Sequence, residues 1–332
     1  MLLRRPVLFM ILVLLLAAAV MGSLTWGAPV SFLDLWSQNA PSREVAQQIF
    51  LNLRPPRVVA AVLVGACLSV SGAGLQSLFR NPLAEPYLLG ISAGGALGAT
   101  IAAALRISAW HGFNAASLFA FAGALGASAV VYALGQRRGS ESSVVSDRSR
   151  LLLCGVALSA FLSALMSLVV SLSGRYELAQ QISFWLLGGL TTASWQQNVV
   201  LLFALLVGGA IMLSCVRDLN AFRAGEEDAA GLGVDTVMLS RKIMLATSLM
   251  SAASVAAAGL IGFVGLLAPH LIRLLGGRDA RTLLPGAALT GAALLCTCDT
   301  LARGLLPPRE VPVGILTALL GVPLFLFLAR RS

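Results

Sequence analysis

Arg80-Asn81-Pro82-Leu83-Ala84-Glu85-Pro86 separates two long apolar runs. A stretch with two prolines in seven residues does not continue a helix, because proline lacks the N–H and its ring clashes with the preceding turn. The heptapeptide therefore marks where one apolar helix, residues 56–79, ends and another, residues 86–105, begins. The rest of the chain has the same character. Of 332 residues, 58% are hydrophobic and only 11% charged. A soluble domain has about a quarter of its residues charged, so this chain cannot cover an aqueous surface and lipid must be its solvent.

A bilayer-spanning helix needs about 20 mainly apolar residues. Apolar runs of that kind are expected at 6–26, 56–79, 86–105, 115–135, 150–173, 195–215, 236–258, 282–304 and 312–329, with a shorter one at 260–275. A further helix over about 177–187 is expected not to cross. The fold class is thus an all-α polytopic membrane protein of about ten transmembrane helices, a single domain over residues 1–332. The first run follows Arg4 and Arg5 and exceeds the apolar core of a signal peptide, about 7–15 residues, so it is expected to be a retained helix.

Charge orients the bundle. With the N-terminus inside, sixteen of the 23 basic residues fall in inner segments, among them Arg80, Arg137, Arg138, Arg148, Arg150, Arg217, Arg223, Arg241, Lys242, Arg273, Arg278 and Arg281. The outer seven are Arg43, Arg54, Arg57, Arg106, Arg175, Arg303 and Arg309. Positive residues concentrate on the cytoplasmic side, so both termini are expected there. The net charge of +9 then consists of anchors beside anionic lipid. No nucleic-acid-binding patch is visible.

Gly90, Gly94 and Gly98 recur every four residues, and small residues let helices in lipid approach closely. The prolines at 82, 86, 269, 307 and 308 fall at expected helix ends, whereas Pro323 lies inside the last helix and is expected to kink it. Cys67, Cys154, Cys215, Cys296 and Cys298 all sit in or beside apolar runs and read as small hydrophobes. The inner segment 217–235 stands out, because Glu226-Glu227-Asp228 is dense for a mere connector and Asn220 could cap a short helix.

Several functions are disfavoured by what the chain lacks. Lys242 is the sole lysine, and no glycine pattern of a phosphate-cradling loop precedes it, so any ATP must be hydrolysed by a partner. An ion-coupled secondary transporter places ionisable groups in mid-membrane. Here Asp299 and Arg303, four residues apart, read as a local ion pair at the outer end of the ninth helix. His111 and His270 fall on opposite sides and cannot form one catalytic or metal site, so an enzyme is not expected.

Joint occurrence of motifs along the chain resembles the FecCD/BtuC-type permeases, the membrane subunits of type II ATP-binding-cassette importers for haem, iron chelates and cobalamin. The matching pieces are Arg54-Pro55-Pro56-Arg57, Gly72 through Gln76, Asn81-Pro82-Leu83-Ala84 and Trp185 through Gly189. Gly225-Glu226 with Ala229, Leu232 and Gly233 follow, then Gly262 through Arg273, Asp299 with Arg303, and Val311 through Ile315. The resemblance implies a homodimer with a pathway at its axis, two ATPase subunits beneath and a periplasmic substrate-binding protein above, in a bacterial inner membrane. It implies no cofactor in this chain, with ATP and Mg in the ATPase. By position, Arg54, Arg57 and Arg303 match residues that dock the binding protein; anchoring of helix ends at headgroups is the alternative. The stretch 219–233 matches the coupling helix, with Leu219, Gly225, Glu226, Ala229, Leu232 and Gly233 its matching residues, while Glu227-Asp228 departs from the pattern. Asn81 and Leu83 match the cytoplasmic gate, opposed by the segment around Ser149; Asn81-Pro82 is also an ordinary turn pair. Haem or a ferric siderophore is the expected cargo, with cobalamin next.

Overall fold

The structure is a computed structural model that describes residues 5–26, 44, 47–110, 113–135, 144–223, 225–306 and 309–329. Readings placed above on Arg4, Arg43, His111, Arg137, Arg138, Pro307 and Pro308 lie outside these residues. Among the described residues there are thirteen α-helices and one two-stranded hairpin, Ala109–Trp110 with Phe113–Asn114.

The apolar runs become α1 (Arg5–Thr25), α2 (Arg54–Phe79), α3 (Ile91–Ala104), α4 (Ala115–Gly135) and α5 (Val144–Ser173). The expected non-crossing helix is α6 (Tyr176–Leu186), followed by α7 (Trp195–Ser214), α8 (Val216–Phe222) and α9 (Glu226–Gly231). The chain closes with α10 (Thr236–Ala258), α11 (Val264–Leu274), α12 (Ala280–Gly304) and α13 (Val313–Ala329). Among the described residues, six helices are long and apolar enough to cross a membrane, and α3, α11 and part of α13 are shorter apolar ones. Polar starts are capped: Ser194 and Gln197 form a reciprocal capping box on α7, and Asp235 accepts from the Met238 N–H at 2.8 Å on α10.

α2 is the axle. Of its apolar window 89% is buried, against 6% for α5. It packs on α7, α10, α11 and α12, with α1 laid along α12. The α3, α4 and α5 group forms a side layer joined to the rest through α10. Arg5 bonds Asp279 at the start of α12, and Ser23 bonds Arg303 at its end, so α1 and α12 run the same way.

Two expectations are corrected by backbone geometry. The run 86–105 is broken: Pro86–Leu89 is a 3-10 turn, and Gly90 at φ +75° starts α3. Gly90 thus serves conformation, since a Cβ there would meet nothing closer than 3.7 Å. Gly94 and Gly98 do serve packing, because Cβ atoms there would lie 2.3 and 2.0 Å from the carbonyl oxygens of Gly123 and Phe119 on α4. Pro269 is not at a helix end but inside α11, where its missing N–H leaves the Gly265 carbonyl without its helical donor.

Candidate functional site

The Gly265 carbonyl finds its donor on another helix. Gln76 Nε2 of α2 donates to it at 3.2 Å. Gln76 can reach because Gly72, one turn earlier on the same face, has no side chain; a Cβ there would sit 1.9 Å from the same oxygen. The other end of the Gln76 amide accepts from Arg273 Nη2. Two motifs distant in sequence are thereby locked together by one side chain.

The irregular backbone between α10 and α11 is satisfied the same way, as non-helical backbone within a membrane bundle must be. Tyr87 Oη donates to the Ile261 carbonyl at 2.9 Å and accepts from its N–H at 3.1 Å. Phe263, at φ +68°, donates its N–H to Glu85 Oε1 at 2.8 Å. Glu85 belongs to the heptapeptide that divides the first apolar runs, so that motif is a clamp as well as a turn. Trp185–Gly189 and Val311–Ile315 close on the same break: Gly189 N–H donates to the Ala258 carbonyl at 2.8 Å, and Gly314 lies against the Leu187 carbonyl.

Burial pushes the Glu85 carboxyl above its ordinary range, with the Phe263 N–H pulling the other way. An acid raised in the fold keeps its proton longer than in the unfolded chain, so stability falls as pH rises from the ordinary glutamate value, about 4.3, through the raised one. Glu85→Gln keeps the acceptor and removes the titration. The thermal midpoint in detergent should then lose that downward slope with pH; parallel profiles for the two proteins would exclude the assignment.

At one end of the bundle the three arginines singled out by sequence converge. They stand in the first turn of α2 and the last turn of α12. Asp299, with a fully buried side chain, takes Arg57 Nη2 at 2.9 Å and Arg303 Nε at 3.2 Å. Arg57 also reaches Glu310 at 2.9 Å, and Glu310 is 40% exposed. Arg303 donates to Ser23 Oγ at 2.6 Å, while Arg54 donates to the Leu24 carbonyl at 3.0 Å and lies 4.0 Å over the Phe50 ring. Arg54 and Arg303 are 3% and 5% exposed, so Arg57 and Glu310 form the part of the network nearest the surface. The expected Asp299–Arg303 pair is present; its tie to Arg57, 242 residues from Asp299, was not foreseen.

At the opposite end, the stretch 219–233 is not one helix. α8 ends at Phe222 and α9 covers Glu226–Gly231, with Gly225 extended between them and Gly233 left-handed at φ +84°. Leu219 and Ala229 are buried against the bundle, whereas Leu232 is 73% exposed beside exposed Glu227 and Asp228. Asn220 does not cap its own helix. Its Nδ2 donates to Asp279 Oδ1 at 2.7 Å and its Oδ1 accepts from the Ala280 N–H at 2.8 Å, so it fastens α8 to the start of α12. The Arg281 N–H, Asn220 and Arg5 together hold the Asp279 carboxyl below its usual range.

Asn81 and Leu83 lie at this same end. The Leu83 N–H donates to Asn81 Oδ1 at 2.9 Å, an Asx turn, and Leu83 is 48% exposed. Ser149 is exposed near the start of α5. α5 meets this region at Gly155, whose absent Cβ admits the Leu88 carbonyl.

A family model described as the FecCD transport family matches residues 10–331. The hemin transport system permease protein HmuU of Yersinia pestis is 41% identical over 97% of this chain and 94% of that protein. The cobalamin import system permease protein BtuC of Halobacterium salinarum is 42% identical over 86% of this chain and 74% of that protein. Among solved structures, an inward-facing metal-chelate type ABC transporter superposes with a TM-score of 0.84 at 33% identity, covering 99% of this chain and 100% of that one. PsaBC of Streptococcus pneumoniae, at 15% identity and a TM-score of 0.60 over 85% of this chain and 93% of that one, shares the fold.

Proposed function

This chain belongs to the FecCD transport family, and from that premise we propose that it carries haem or a ferric siderophore from periplasm to cytoplasm. It is a multi-pass membrane permease of a bacterial ATP-binding-cassette importer, and it is not itself an enzyme. The observation that carries the cargo is the likeness to a hemin permease along nearly the whole chain. Cobalamin is the second reading, favoured by the likeness to cobalamin permeases.

In this reading α1 to α5, α7 and α10 to α13 make ten crossings with both termini cytoplasmic. The parallel run of α1 and α12 and the gathering of Arg5, Arg80, Arg223, Arg273 and Arg278 at one end support it. A second copy covers the apolar flank of α5, where Leu153, Val156 and Phe161 are more than half exposed. The Arg54, Arg57 and Arg303 network receives an acidic periplasmic binding protein. Its carboxylates exchange with Glu310 on Arg57, while Arg54 and Arg303 fix the helix ends that present it.

Two partner ATPases, which hold ATP and Mg, sit on α8 and α9. Leu219 and Ala229 root this segment, Gly225 and Gly233 set its bends, and Glu226 with the exposed Leu232 faces the ATPase. Asn81, Leu83 and Ser149 border the cytoplasmic gate. Alternating access follows: nucleotide-driven closure of the ATPases moves the segment, and Asn220 passes that motion to α12.

The test is reconstitution of the permease with its ATPase and binding protein in vesicles. ATP-dependent uptake of haem or ferric siderophore is expected. Uptake of cobalamin alone would move the cargo to the second reading, and uptake on an ion gradient without ATPase would overturn the importer. Leu232→Asp should cut uptake at least tenfold in a complex that is still folded, as loss of a central apolar anchor does.

A further inference from the structure

Four arginines meet at the inner end of α2 in a concavity of about 210 Å³, lined by Arg80, Arg223, Arg273 and Arg278 with Gln76 and Pro82. They come from four places: the left-handed C-cap of α2, the residue after α8, the last turn of α11 and the loop before α12. Among the described residues no carboxylate forms an ion pair with any of them. The adjacent acid, Asp279, is taken by Arg5, Asn220 and the Arg281 N–H.

Among the described residues, the hydrogen bonds of the Arg273 and Arg223 guanidiniums go to neutral groups. Arg273 donates to Gln76 Oε1, and Arg223 Nη1 donates to the Arg278 carbonyl at 2.5 Å. Such bonds hold the side chains in place without cancelling charge. Like charges gathered on a protein surface repel, and this arrangement becomes favourable once an anion enters. The guanidinium fork suits carboxylate, which it can bind through two parallel hydrogen bonds.

The position selects the partner. α2 is wrapped by α7, α10, α11 and α12, so a basin at its end lies at the end of the bundle core rather than on the exposed flank of α5. Arg223 also stands at the hinge between α8 and α9, the segment assigned above to the ATPase. We propose that the Arg80–Arg223–Arg273–Arg278 basin is a second docking point for the ATPase, receiving Asp or Glu side chains on its surface beside the apolar contact at Leu232. The basin rests on the importer reading. It gives a role to the Arg80 and Arg273 ends of two motifs that the gate and coupling assignments leave unused. It also makes the grip on the ATPase dependent on both α2 and α11, so a shift between those helices changes that grip.

The test uses the full chain co-purified with its cognate ATPase, measuring the dissociation constant from low to high NaCl. Arg80 and Arg278 are exposed, so R80E/R278E can be made without disturbing the core. The double variant should bind the ATPase at least tenfold more weakly, with a flatter salt dependence, and R80K/R278K should retain most of the binding. An unchanged thermal midpoint shows that both variants are folded. Wild-type affinity and salt slope in R80E/R278E would overturn the basin and leave the importer standing. So would loss of co-purified phosphatidylglycerol, read by native mass spectrometry, with ATPase binding intact. A wild-type chain that binds no ATPase overturns both.

Discussion

Gly72→Ala should prevent accumulation of folded permease. The new Cβ would lie 1.9 Å from the Gly265 carbonyl oxygen and 2.9 Å from the Gly265 Cα, and both are backbone atoms. No rotamer change relieves such a clash, so α2 and α11 must separate. Separation withdraws Gln76 from the carbonyl that Pro269 leaves without a helical donor, and it loosens Arg273 as well. Overpacking costs about 1–3 kcal/mol where neighbours yield, and an unpaired buried carbonyl adds about 1–3 kcal/mol. The sum, about 2–6 kcal/mol, is a large part of any domain's stability. Monodisperse yield and thermal midpoint in detergent would record it. Gly126→Ala and Gly209→Ala are the controls, because a Cβ at either position meets nothing within 4 Å. Their midpoints should match or exceed the wild type. A Gly72→Ala protein that melts with the wild type would refute the contact.

Asp299→Ala should destabilise the opposite end by a comparable amount. It removes the carboxylate that Arg57 and Arg303 share, leaving Arg303 only 4% exposed in its side chain and without an ion partner. Breaking a buried pair by deleting one member costs about 3–5 kcal/mol, because an uncompensated charge remains. Removing both charges is different: Asp299→Leu with Arg303→Met should recover much of the loss. Glu310→Gln should cost about 1 kcal/mol or less, since its carboxylate is 40% exposed and screened by water. A midpoint for Asp299→Ala as mild as that for Glu310→Gln would show that the network is wet rather than buried. The same series separates stability from docking, because Glu310→Gln frees Arg57 for an incoming carboxylate without opening the core.

The family, the helical class and the places of the apolar helices were legible in the chain alone. Each apolar run is a local sum over about 20 residues, and neighbours in sequence suffice to read it. The absence of a nucleotide-binding loop is equally local. Asp299 with Arg303 was legible for the same reason, four residues being one helical turn. Gly94 and Gly98 announced close packing by their spacing.

What spacing could not supply is which distant atom fills which vacancy. Gln76 serves a carbonyl 189 residues away, and Asn220 caps a helix that starts 60 residues later. The same Asn220, read locally, suggested a cap for its own helix. The burial of Arg54 and Arg303 was likewise invisible, since their place at helix ends suggested exposed charges. Tertiary structure decided these points because a buried polar group takes whichever partner the packing brings within about 3 Å. Helix identity follows from chain composition, whereas partner choice follows from how closely two backbones approach, and here that approach is set by glycines such as Gly72.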